Sequence, residues 1–122
     1  MKLTTEKIPI RIISSANLVE HWSKKYKREK EQKFLISQEM LKHLDKISLP
    51  VTLTFVRIAP RMLDDDNLQY SLKSHRDLLS SLLIPGLAPG RADGDSRLEF
   101  KYEQEKGDPK EYALKIIFET KQ

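Results

Sequence analysis

Apolar residues alternate with others from Lys7 to Ile13, placing Ile8, Ile10 and Ile12 on one face, and this period of two predicts a first strand. Pro9 lacks an amide hydrogen, so the strand suits a sheet edge. Ser14, Ser15 and Asn17 break the pattern and are available to cap a helix. From about Val19 to Leu44 the composition is helical, with Trp22, Tyr26, Phe34, Met40, Leu41 and Leu44 as the expected buried contacts. The first half of this helix is basic and the second more apolar. Its C-terminal part is therefore expected on the core and its N-terminal part toward solvent or a ligand.

Ser48-Leu49-Pro50 ends that unit, and the β-branched, apolar run Val51 to Ile58 predicts a second strand, closed by Ala59-Pro60. A helix is expected next, capped by Asp66 or a neighbour and running to about Leu83, with Leu68, Leu72, Leu79 and Leu82-Leu83 as its apolar stripe. Ile84 to Gly94 holds Pro-Gly-type breakers and reads as a loop. Arg97 to Glu103 alternates, with Leu98, Phe100 and Tyr102 on one side; Glu105 to Lys110 is a turn. Glu111 to Glu119 alternates again through Tyr112, Leu114, Ile116 and Phe118. These last two strands read as a hairpin with one wet face. The order β-α-β-α-β-β predicts an α/β domain, α+β-like in character, with a mixed sheet and helices on one side.

The chain has 122 residues, enough for one domain with one modest core. It has no cysteine, which excludes disulfides, thiolate metal sites and cysteine nucleophiles. No apolar run reaches the length of a membrane span, and the N-terminus lacks the apolar stretch of a signal peptide. A cytoplasmic location in a bacterial or phage-infected cell is the resulting expectation.

Charge changes the picture. The formal net charge is +4, and Lys24, Lys25, Lys27, Arg28, Lys30 and Lys33 cluster within one stretch of the first helix. Such a block attracts a polyanion by counterion release, or else forms a solvated face laced with Glu–Lys pairs. Against this basic background stand three adjacent carboxylates, Asp64, Asp65 and Asp66, at the start of the second helix. One capping interaction accounts for one or two of them. A divalent cation accounts for the group, and oxygen ligands on a basic protein point to a phosphate substrate. Capping with surface charge and a metal site both remain open on these residues alone. Lys73 and Asp77 lie along the same helix, about two turns beyond Asp66 in the case of Lys73, so Asp66, Lys73 and Asp77 are expected near one another on one face. A second acidic pair, Asp93 and Asp95, comes after the loop; Asp-Gly is also a common turn dipeptide. His21, His43 and His75 have no ligand-like spacing.

Taken together, Asp64-Asp65-Asp66-Asn67 opening a helix, Lys73 and Asp77 within it, and Asp93-Gly94-Asp95-Ser96-Arg97-Leu98 followed by Tyr102-Glu103-Gln104 resemble the RusA-type Holliday-junction resolvases, in particular their phage and prophage branch. Glu20-His21-Trp22 leading into a basic helix is also similar to that branch, and the resemblance runs from about Glu20 to Glu119. It implies a homodimeric, Mg²⁺-dependent endonuclease, with Mn²⁺ as a substitute, that hydrolyses phosphodiesters in branched DNA such as four-way junctions during recombination and repair. By the match, Asp64, Asp66 and Asp93 are the implied metal ligands and Lys73 the lysine that assists cleavage. The basic residues of the first helix, with Arg57 and Arg61, are the expected contacts to backbone phosphates. The competing reading is a DNA-binding accessory protein of the same fold without activity, motivated by Ala92 at the place of a family carboxylate and by the long loop from Ile84 to Arg91.

Overall fold

A computed structural model of the chain describes residues 2–13, 22–86 and 94–120. It is an α+β domain built on one four-stranded mixed sheet. In chain order the elements are β1 (Lys2–Thr4), α1 (Trp22–Leu41), a 3₁₀ turn (Leu44–Lys46), β2 (Val51–Ala59), α2 (Asp65–Ser71), α3 (Lys73–Leu83), β3 (Leu98–Lys106) and β4 (Ala113–Thr120). The sheet order is β1-β4-β2-β3.

The expected hairpin of the last two strands does not form. β2 lies between them, parallel to β3 and antiparallel to β4. β2 is buried along nearly its whole length, whereas β3 has alternate exposed positions. The strand with apolar residues on both faces takes the centre, where both faces are covered, and β3 with its charged outer positions takes an edge. The connection from β3 to β4 crosses the end of β2, where the Gly107 amide donates to Ala59 O at 2.9 Å.

Register makes the inner face legible row by row. Leu98 pairs with Val51, Phe100 with Leu53 and Tyr102 with Phe55, and on the other flank Phe118 pairs with Leu53 and Ile116 with Phe55. These side chains join Ile36 and Met40 of α1, Leu68 and Leu72 around α2, and Leu79 of α3 in one core. The helices thus share that face, as the sequence led one to expect. On the outer face Val56 and Ile58 are also buried. The ion pair Lys115–Glu105, at 2.6 Å, spans β2 on that face from one flanking strand to the other.

The N-terminal segment departs from its expected form. Ile8, Ile10 and Ile12 are all buried, so the alternation reports the inward side correctly. The strand itself is Lys2–Thr4, and Ile8 contributes only an isolated bridge to Leu114. Between them Thr5 Oγ1 accepts the amide of Ile116 at 3.0 Å, replacing a backbone acceptor. Pro9 supplies no donor to extend the ladder.

Helix α1 packs its C-terminal half on the core as expected, Met40 among the expected contacts being buried, but most of its other large apolar residues face away. Gln32, Ile36, Glu39 and Met40 are inward, while Trp22, Tyr26, Phe34 and Leu41 are exposed and Leu44 is half-buried. The inward Gln32 has partners. It donates through Nε2 to Arg11 O at 2.9 Å, and its Oε1 lies 2.7 Å from His75 Nε2. The expected caps Ser14, Ser15 and Asn17 lie outside the described residues, as does Val19. The second predicted helix is two helices. Leu72, with φ −103° and ψ 6°, separates α2 from α3, and within the expected acidic triplet the cap is Asp64.

Candidate functional site

The carboxyl ends of parallel strands in open sheets are where ligands bind, because loops there leave the sheet without covering its end. β2 ends at Ala59, and the chain then passes through Pro60–Leu63 to the acidic triplet. Asp64 adopts extended backbone angles, φ −71° and ψ 164°, and its Oδ1 accepts the amide of Asn67 at 2.9 Å. Asp65 and Asp66 occupy the first turn of α2, and all three are exposed. The capping interaction uses one oxygen of Asp64. The second oxygen and the carboxylates of Asp65 and Asp66 are left for other partners.

The segment before the triplet is held by β3. Gln104 sits opposite Arg57 in the β2–β3 register, one row beyond Tyr102 and Phe55. Its Oε1 accepts the amide of Leu63 at 2.8 Å, and its Nε2 donates to Leu63 O at 2.8 Å. Both ends of one side-chain amide thus close on the residue preceding Asp64. Sequence reasoning did not single out Gln104 for this role. The signal was present: it is the first polar residue in the inward row Leu98, Phe100, Tyr102, and Arg57 is the first polar residue in the matching row of β2.

Arg57 is not a surface arm. It is 6% exposed, donating from Nε to Ile12 O at 2.9 Å and from Nη1 to Arg61 O at 2.7 Å and Gln104 Oε1 at 3.3 Å. Burial lowers its pKa, and the nearby Arg11 charge lowers it further. Arg57 forms part of a cleft of about 440 Å³ with Arg11, Arg61, Leu63 and Tyr112. Arg61, by contrast, is exposed at the rim.

The remaining candidates fall in two other places. Lys73 and Asp77 line a groove of about 210 Å³ together with Lys25, Glu29 and Tyr70. Lys73 and Asp77 are therefore brought together with the basic end of α1, but Asp66 does not line that groove. The break at Leu72 changes the helical phase between Asp66 and Lys73, so the expectation of all three on one helix face does not carry over. Among the block residues, Lys24, Lys25, Lys27, Lys30 and Lys33 are exposed and Arg28 is half-buried.

Asp95 lies at the far end of the sheet. It precedes β3, whose first residue Leu98 pairs with Val51, the first residue of β2. Gln104, which holds Leu63, is six residues further along β3, or roughly 20 Å of extended strand. Asp95 accepts from Arg97 at Nε, Nη2 and the backbone amide, each at 2.9 Å. Those bonds hold its pKa at about 2. Its chemistry is that of a turn. Asp93, Ala92 and His21 lie outside the described residues.

Among the described residues no three His, Asp or Glu side chains converge as a metal cage. The free oxygen of Asp64 with the Asp66 carboxylate still fits the habit of Mg²⁺, which binds through one or two carboxylates and keeps several waters. No described helix is long and apolar enough to cross a membrane. Compared with known proteins, the chain matches no family model, no curated protein and no solved structure.

Proposed function

We propose that the protein is a metal-dependent endonuclease that cuts branched DNA, with four-way junctions as its substrate and a homodimer as the acting unit. The carrying observation is the exposed Asp64–Asp66 ledge at the carboxyl end of β2, anchored through Leu63 to Gln104 on a basic protein. The resemblance of the Asp64–Asn67, Lys73 and Asp93–Leu98 segments to RusA-type resolvases supports the same reading.

Asp64 and Asp66 would hold Mg²⁺, or Mn²⁺ in its place; the third carboxylate that the resemblance implies, Asp93, is two residues before Asp95, which lies at the opposite end of the sheet, so the ledge is taken as a two-carboxylate site. When bound, the cation supplies charge against the phosphodiester and an activated water. The chain's own work is positional. Gln104 fixes the approach to Asp64, the Asn67 amide orients one Asp64 oxygen, and the exposed lysines of α1 attract the backbone. Lys73, in the separate groove with Lys25, adds to the positive surface that attracts the backbone. Two matched nicks across a junction require two sites, and a two-fold dimer is the economical way to present them.

The test is a labelled four-way junction incubated with the protein in Mg²⁺ and in Mn²⁺. Nicking that disappears in Asp66→Asn while junction binding persists is the expected result. Wild-type cutting by Asp66→Asn would remove the metal assignment. A second reading, a junction-binding protein without activity, draws on Asp64 being engaged as a helix cap and Asp95 in a turn with Arg97. Binding without nicking in either metal would select it.

A further inference from the structure

Three arginines converge on the cleft beside the acidic ledge. Arg57 lies within it, Arg11 and Arg61 stand at its edges, and none of its described lining residues is a carboxylate. An arginine only 6% exposed normally faces an acid, since an unpaired buried charge is costly. Here carbonyl and amide oxygens take its Nε and Nη1 hydrogens. Those bonds leave over the two hydrogens of Nη2. Arg11 is fixed in turn by the ring of Tyr112, its guanidinium carbon 4.3 Å from the ring centroid. Like charges held this close, without a counter-charge in the wall, define a place for an anion.

We propose that this cleft binds a backbone phosphodiester of the nucleic-acid strand whose neighbouring linkage lies on the Asp64–Asp66 ledge. The identity of the ligand rests on the endonuclease reading; the presence of an anion site does not. The guanidinium fork suits phosphate oxygens bidentately. A continuous polyanion fits better than a single carboxylate because the cationic positions continue. Arg11 and Arg28, the latter a member of the basic block of α1, also line one small space of about 20 Å³ together with Glu29. Leu63 is both a wall of the cleft and the residue before Asp64. The strand would therefore be gripped one backbone step from the carboxylates, and the Gln104–Leu63 bonds would hold the two subsites at a fixed separation.

The experiment measures binding of a labelled four-way junction by fluorescence anisotropy in EDTA, and cutting of the same junction in Mg²⁺. Arg57 braces three segments, so the variant is the double substitution Arg11→Gln with Arg61→Gln, which leaves Arg57 and its acceptors in place. The charge-matched control is Lys46→Gln with Lys101→Gln, both exposed and away from the cleft. The expected result is an affinity loss of about tenfold or more near 100 mM salt, with the log–log salt slope reduced by about one to two units. The control should lose less than about threefold on the same scale.

Equal losses in the two variants, or wild-type affinity in the arginine variant, would overturn the cleft assignment. Should the protein never cut but still lose affinity in the arginine variant alone, the cleft stands and the endonuclease reading falls. Should it cut while the arginine variant binds and cuts like wild type, the reverse holds. Absence of binding to any nucleic acid would remove both.

Discussion

The side-chain amide of Gln104 closes both of its ends on the backbone of Leu63, accepting from the amide and donating to the carbonyl, each at 2.8 Å. A mainchain segment outside any helix or strand is thereby treated as if it were one more step of the sheet. Asp64 starts from that point. The position of the acidic ledge is therefore set by β3 as much as by the helix that carries it.

Replacing Gln104 with Ala removes both bonds and leaves Arg57 with one acceptor fewer; the expected cost is about 1–3 kcal/mol. Gln104→Glu keeps the acceptor for Leu63 N but sets a carboxylate oxygen against Leu63 O, so it should recover only part of the loss. Urea unfolding of both variants checks the order. Junction nicking should fall more than junction binding in Gln104→Glu, because the ledge is displaced while the basic surface is intact.

The triplet should separate by role. Asp64→Ala loses the side-chain cap to Asn67 and is expected to cost about 1 kcal/mol. Asp66→Asn, exposed and without a capping bond, should leave the unfolding free energy within about 0.5 kcal/mol of wild type. A stability loss in Asp66→Asn as large as in Asp64→Ala would show that the fold relies on both, and the cleavage test would then need a stability control.

His75 makes stability sensitive to acid. Burial lowers its pKa from 6.5 to about 4, and Lys33 and Arg28 act in the same direction. The bonding of Gln32 sets the tautomer. Because Gln32 Nε2 donates to Arg11 O, its Oε1 must accept, so His75 Nε2 carries the hydrogen. The unfolded chain takes up a proton near pH 6.5, whereas the folded chain does so only near pH 4. Stability from this group is complete above pH 6.5 and falls between pH 6.5 and 4, by an amount on the order of 3 kcal/mol. Unfolding measured at about pH 7 and about pH 4.5 should show a smaller drop in His75→Gln than in wild type. An equal drop would assign the acid sensitivity to other groups.

Gly107 permits the close crossing over the end of β2. A Cβ there would stand 2.9 Å from Glu111 Oε1 and 3.1 Å from both Glu111 O and Ile58 Cγ2. Glu111 is itself held by the Asp108 amide and by Lys7. Gly107→Ala should therefore destabilise by about 1–3 kcal/mol, read from the thermal or urea midpoint. An unchanged midpoint would mean that the turn relaxes freely.

Much of the architecture was legible in the residues. The run Val51–Ile58, the alternation after Arg97 and the inward isoleucines each reflect local geometry, since side chains in extended backbone alternate and apolar ones seek cover. The triplet's place after a strand and at a helix start came equally from capping and breaker residues. Those features depend on neighbours a few positions apart, and a linear pattern records them.

What tertiary structure alone decided was which of several satisfactory faces and partners won. Two alternating strands joined by a turn look like a hairpin until a more apolar strand competes for the space between them, and β2 does so here. Helix α1 offered Trp22, Phe34 and Leu41 to the core, yet Gln32 and Glu39 went inward, and Gln32 is satisfied there by a carbonyl at Arg11 and the ring of His75. Arg57 read as a surface cation and became an internal brace for the same reason. Its acceptors, Ile12 O, Arg61 O and Gln104 Oε1, come together only once the sheet has formed. Glu39 meets only its helix neighbours Lys42 and His43, but Gln32 and Arg57 are buried where distant groups complete their hydrogen bonds, and those groups are set by long-range packing rather than by sequence spacing.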